Sequence, residues 1–355
     1  MTHLTLFICA AIGLLLGLVL WIVFSARLRL TTAEDALEWA QTDDGWALSL
    51  HRYLPPGVAR AYPVILCHGL GANRFNLDFD AEYSLARFLR ARGFEVFVLE
   101  LRGCGRSHWT GGGRPPAWNF DDFVHHDLPA AIARVRELSG AAQVDWVGHS
   151  QGGMVMYAAL SGAVGPAVHA FVAIGSPAAF GDHHWLKPLA RFHSMARLAP
   201  ASATPRFVRL VAPLSGHFVV PGLAMLANQS NMRGPVTRRA LYNVVGAVAP
   251  SVLAQFASFV SAGVLVGADG NRDYDTGYAR ITTPTLLIAG AADWLGPEYA
   301  MRYFLDRIAS ERKALVVAGR ATGFSADYGH GDLVLGRNAP KEIFPLVAEF
   351  LERST

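Results

Sequence analysis

Apolar residues fall into three patterns along the chain. From Leu4 to Phe24 they run without a charge, LTLFICAAIGLLLGLVLWIVF, about the length that crosses a bilayer as a helix. From about residue 36 to 180, and again from 283 to the end, short apolar runs alternate with segments whose apolar residues recur every three or four positions. Between these two regions, residues 181–278 are rich in proline, aromatic and aliphatic residues but contain no clean strand pattern.

The short runs read as buried strands: PVILCHG (63–69), FEVFVLELRG (94–103), QVDWVGHS (143–150), VHAFVAIGSP (168–177), TPTLLIAG (283–290) and KALVVAG (313–319). Helical periodicity marks EYSLARFLRARG (82–93), FDDFVHHDLPAAIARVRELSG (120–140), GGMVMYAALSG, and segments near 297–309 and 340–352. ALEWAQTDDGWALSLHRYLPPG supplies a first hairpin that turns at Asp44–Gly45. Alternation of strand and helix predicts an α/β fold, a mostly parallel central sheet with helices on both faces. The middle hundred residues predict a helical insertion. The expected organisation is an anchor and flank (1–29), a first part of the core (30–180), a cap or lid (181–280) and a second part of the core (281–355).

The N-terminal run predicts a retained transmembrane helix in preference to a cleaved signal peptide. No Lys or Arg precedes it, it exceeds a typical signal core, and Phe24 spoils the A-x-A spacing before Ala26. Trp21 at one interface and Arg27 and Arg29 beyond the run favour a single-pass membrane protein whose C-terminal domain is cytoplasmic.

Composition narrows the classes further. A 52% apolar and 17% charged content excludes disorder, and a net charge of +3 argues against a nucleic-acid partner. The three cysteines, Cys9, Cys67 and Cys104, form no C-x-x-C or Cys/His ligand spacing, so neither a disulfide framework nor a zinc site is expected. Nothing in the pattern fixes an oligomeric state.

VDWVGHSQGGMV (144–155) carries the candidate chemistry. A G-x-S-x-G box between a strand and a helix lifts the serine hydroxyl above the strand ends, and Gly148 and Gly152 allow strand and helix to approach closely. The box alone is a cheap motif, and Ser150 needs partners: a base to take its proton and a carboxylate to orient that base. In this arrangement the acid follows a later strand and the histidine follows the last one. Asp293, in TPTLLIAGAADWLGP, and His330, in DYGHGDLVLG, stand at those places. The backbone N–H of Gln151, just after the serine, and of Leu70, in CHGLG (67–71), are the candidate oxyanion donors. His68 and Gly69 are expected to shape that turn.

At the level of these motifs the chain resembles the α/β-hydrolases, and more narrowly the acid-lipase group that includes gastric and lysosomal lipases. The matching residues are HGL (68–70), LRGCGRS (101–107), FDDFVHHDLPAAI (120–132), GHSQGG (148–153), AGAADWL (289–295) and HGDLVLG (330–336). The resemblance implies a Ser150–Asp293–His330 triad with Leu70 and Gln151 at the oxyanion hole. Gly153 departs from the threonine frequent in those lipases, and the insertion offers no match. Polyhydroxyalkanoate synthases share similar segments but use cysteine at the box.

The expected reaction is hydrolysis of a carboxylic ester, lipid-like or long-acyl, through an acyl-enzyme, with no metal or organic cofactor. The expected partners are that substrate and a membrane reached through the N-terminal helix. Phe180, Trp185, Phe192, Phe207, Phe218, Met225, Phe256 and Phe259 are candidates to line an acyl pocket or pack as core. NQS (228–230) matches a glycosylation acceptor. The alternatives are a non-catalytic protein of this fold that binds an acyl ligand or partner, and an acyltransferase using the same nucleophile.

Overall fold

The computed structural model describes residues 2–181, 203–216, 224–270 and 274–354. Trp185, Phe192, Phe218 and the histidine pair at 183–184 lie outside the described residues.

Strands β1 (Ala36–Gln41) and β2 (Trp46–Tyr53) form the hairpin, and Gly45 in its turn has φ +98°. The remaining strands are β3 (Val64–Cys67), β4 (Val96–Leu99), β5 (His108–Trp109), β6 (Val144–His149), β7 (Val168–Ile174), β8 (Thr285–Gly290) and β9 (Lys313–Ala318). They make one sheet in the order β1-β2-β4-β3-β6-β7-β8-β9, with β5 against β2. Pairing is antiparallel at β1–β2 and β2–β4 and parallel from β4 through β9.

The period of two in the sequence becomes two cores. Ile65, Phe97, Trp146, Phe171 and Leu287 feed one face of the sheet, while Val64, Val96, Val147, Val172 and Leu286 feed the other. Adjacent strand residues point to opposite faces, so a sheet buried on both sides shows unbroken apolar runs where a half-exposed one would alternate. The predicted helix over 120–140 begins with one turn and a π turn (Phe123–Asp127) before α-helix Leu128–Ser139, which stops at Gly140 in the left-handed conformation. Gln151–Ala159, directly after β6, is wholly buried.

An N-terminal helix spans Thr2–Arg27. Among the described residues, however, no helix is long and apolar enough to cross a membrane. The transmembrane helix, the membrane partner reached through it and the single-pass location expected from the sequence are corrected on this ground. The chain after the helix is tied to the core by Asn243, whose Oδ1 accepts from the Leu30 N–H (3.1 Å) and whose Nδ2 donates to the Leu28 carbonyl (2.8 Å).

Candidate active site

Ser150 stands between β6 and the buried helix. Its φ of 54° and ψ of −121° make it the one non-glycine residue of positive φ among the described residues, a conformation that costs energy and marks functional sites. The turn is held because the Ser150 N–H donates to the Ile174 carbonyl (2.8 Å) and the Ser150 carbonyl accepts from Gly153 and Met154. A Cβ on Gly152 would collide with the Cys67 carbonyl, and one on Gly148 with the Gly152 backbone. The glycines of the box therefore permit the approach of strand, turn and helix. Ser150 is half-buried and its hydroxyl does not cap the helix.

Asp293 and His330 are in contact. His330 Nδ1 lies 2.9 Å from Asp293 Oδ2 and 3.1 Å from Oδ1. Oδ1 also accepts the N–H groups of Leu295 (2.8 Å) and Gly296 (2.9 Å). Burial opposes the charge on Asp293, yet the His330 imidazole and these donors hold its carboxyl below the usual range. The end of β7 lies between this pair and the serine. A Cβ on Gly175 would sit 3.0 Å from Asp293 Oδ2 and 3.2 Å from His330 Nδ1, one residue beyond the carbonyl that holds Ser150.

Leu70 lies in the loop after β3. A Cβ on the preceding Gly69 would come within 3.0 Å of Ser150 Cβ, so this loop rests against the serine. The N–H of Gln151 is the first of its helix and has no partner within it. His68 is buried; its Nδ1 faces the Gly69 carbonyl (2.8 Å) and its Nε2 accepts from Leu101 N–H (3.2 Å), a role in shaping the turn.

His149, inside the box, links the two sides of the site. Its Nδ1 lies 2.9 Å from Asn76 Oδ1, which also accepts the Gly69 N–H (3.2 Å), and its Nε2 lies 3.2 Å from the His330 carbonyl. Burial, with His330 beside it, pushes His149 down to about 3, so the ring is neutral and offers one N–H to two oxygens. Only the histidine was visible in sequence; Asn76 carries no local signal.

Asp332, in HGDLVLG, explains the ending of that motif. Its buried carboxylate accepts from Gly329 N–H (3.0 Å), Asn228 N–H (2.8 Å) and Asn231 Nδ2 (2.8 Å), and the Gly331 N–H donates to the Leu226 carbonyl (2.7 Å). Residues 226–231 are thus bound to the loop that carries His330. The amide nitrogen of Asn228, the atom a glycan would need, donates to the Asp327 carbonyl (2.7 Å).

Of the described candidates for an acyl pocket, Phe180 and Phe259 are buried and Phe256 is half-buried. Phe256 and Phe259 pack on Phe120 at 6.1 and 5.1 Å between ring centres, and Phe180 packs on Phe259 at 6.0 Å. These rings are core. Met225 is half-buried and Phe207 is 64% exposed.

A mostly parallel sheet that delivers a serine on a strained strand-to-helix turn has the architecture of the hydrolases built on a nucleophile elbow. Residues 62–325 match the family described as alpha/beta hydrolase fold, and the chain belongs to that family. It is 29% identical over 156 residues to lipase lipl-1 of Caenorhabditis elegans, 38% of each chain. It is 35% identical over 133 residues to the human lysosomal acid lipase/cholesteryl ester hydrolase, 34% of this chain and 33% of that one. The matches thus span between a third and two fifths of these curated relatives. Among solved structures, an esterase from Thermogutta terrifontis covers 90% of this chain and 99% of its own at TM-score 0.61 and 17% identity. A monoglyceride lipase from Saccharomyces cerevisiae covers 92% and 98% at TM-score 0.60 and 17% identity. At these identities the structures speak for the fold alone.

Proposed function

We propose that the chain is a carboxylic ester hydrolase in which Ser150 is the nucleophile, His330 the base and Asp293 the group that orients it. The observation that carries this reading is the buried Asp293–His330 contact at 2.9 Å beside the strained turn of Ser150. His330 Nε2 takes the proton as Ser150 Oγ attacks the ester carbonyl, and returns it to the leaving alkoxide. The carboxylate of Asp293 fixes the Nδ1–H tautomer and stabilises the imidazolium. The N–H groups of Leu70 and Gln151 stabilise the oxyanion. Water then cleaves the acyl-enzyme by the same proton route.

The substrate of this reading is a lipid-like ester, supported by the names of the relatives, which are lipases and a sterol esterase. Residues 181–280 act in it as the cap over the acyl group. A fluorophosphonate probe should label the protein and fail to label Ser150→Ala. p-Nitrophenyl esters from two to sixteen carbons then size the acyl pocket, with release of free acid identifying water as acceptor. Absence of labelling in a protein folded by circular dichroism would overturn the reading.

A further inference from the structure

A cavity of about 360 Å³ lies apart from the proposed triad, within the size range of small-ligand sites. Distant parts of the chain meet there: Arg29 after the N-terminal helix, Arg74 after β3, Glu100 and Arg106 after β4, and Arg209 and Tyr242 from the region 203–243. Four arginines and one glutamate line it.

That carboxylate is already satisfied. Glu100 Oε1 accepts the Arg74 N–H (3.2 Å), and Oε2 accepts the Ser49 hydroxyl (2.8 Å) and the Arg106 N–H (2.8 Å), with His51 Nε2 at 3.2 Å. Burial works against its charge, but His51 and the other donors hold it at about 2. Gly105 has φ +52°, and a Cβ there would collide with this carboxylate, so the loop can fold onto Glu100 only with glycine at that position.

The cations are unevenly placed: Arg74 is buried, while Arg29, Arg106 and Arg209 are exposed. Arg74 is only 6% exposed. Its Nη1 donates to Glu34 (2.9 Å) and lies 2.7 Å from His51 Nδ1, and its guanidinium lies 4.6 Å over the Phe75 ring. Arg209 gives Nε to the Tyr242 carbonyl (3.1 Å). Among the described residues no acidic side chain pairs with Arg29, Arg106 or Arg209. Guanidinium groups gathered around one space repel one another, and an anion between them relieves that repulsion. Their planar forks match the oxygens of phosphate.

We infer that this cavity binds a small phosphate-bearing anion. The phosphate accepts from Arg74 at the floor and from Arg29, Arg106 and Arg209 at the rim. The same chemistry is offered by a soluble phosphate monoester and by the headgroup of a phosphate lipid.

The test is ³¹P line broadening and calorimetry with inorganic phosphate on the full chain, at ionic strength held constant with chloride. Saturable binding is expected, weakened roughly tenfold for each guanidinium removed, in Arg29→Gln and in the double variant Arg106→Gln/Arg209→Gln. These groups have no acidic partner, so melting without phosphate should be unchanged, and the wild-type titration stands whether or not a variant folds. Glycerol 3-phosphate binding as tightly as a short-chain phosphatidic acid below its micelle concentration assigns the site to soluble phosphates. Tighter binding of the phosphatidic acid assigns it to a lipid headgroup. No saturable binding by the wild-type chain, or equal binding by the folded double variant, overturns the proposal.

Discussion

Two buried carboxylate contacts can be set side by side. Asp293 meets His330, and Asp127 meets Arg102. Both carboxylates are buried, and both are approached by a side-chain nitrogen at 2.9 Å or less. Arg102, however, is used up. Its Nε and backbone N–H go to Asp127 (2.7 and 2.9 Å), and its two terminal nitrogens go to Asp44 (2.7 and 3.0 Å). His330 gives one ring nitrogen to Asp293 and keeps the other. Burial drives Asp127 up to about 6 in spite of Arg102, whereas Asp293 is held low by its imidazole and two backbone N–H groups. Depth and a shifted titration thus accompany a structural clamp as readily as a catalytic pair. A spare nitrogen beside a strained serine separates them.

The comparison would break most visibly in activity. Asp293→Asn should lower kcat for a soluble ester by roughly 10⁴-fold by removing the group that sets the tautomer, with circular dichroism unchanged. Arg102→Met should do the reverse. Leaving Asp127 buried without its partner should lower unfolding free energy by about 3–5 kcal/mol, read by chemical denaturation, while kcat per folded molecule stays the same. Loss of activity in Arg102→Met without loss of stability would erase the distinction.

A smaller effect tests the link between the two sides of the site. His149→Ala releases both the Asn76 contact that steadies the Gly69 loop and the carbonyl of His330. It should lower kcat by roughly 10- to 100-fold with KM little changed, as expected when groups that react are slightly misplaced. His149→Gln, which keeps an amide donor, should recover part of the loss.

The smallest effect adds a third buried carboxylate. Glu100 is held at about 2 against an ordinary 4.5, so its contribution to stability is complete above about 4.5 and is lost as pH falls from there toward 2. Glu100→Gln should flatten that part of the curve of melting temperature against pH. An unchanged acid limb would contradict the assignment.

The core strands were legible because burial on both faces of a parallel sheet writes itself as unbroken apolar runs. The contact of Asp293 with His330 was legible for a related reason, since each residue follows a strand whose place in the sheet was already readable. His149–Asn76 is a different kind of fact. It joins residues 73 positions apart across no element with a period, and only the folded chain reveals it. The aromatic residues near 256–259 were ambiguous in sequence because a ring that lines a pocket and one that packs in a core leave the same apolar signature. The N-terminal run misled by its composition.

The clamp at Asp332 bears on how this molecule could be re-engineered. Residues 226–231 would be a convenient segment to exchange in a chimera. Here three of their polar groups and one carbonyl are fastened to the loop beneath His330. A graft that replaced them would change the footing of His330. A successful chimera would therefore have to carry Asn228 and Asn231 across with it.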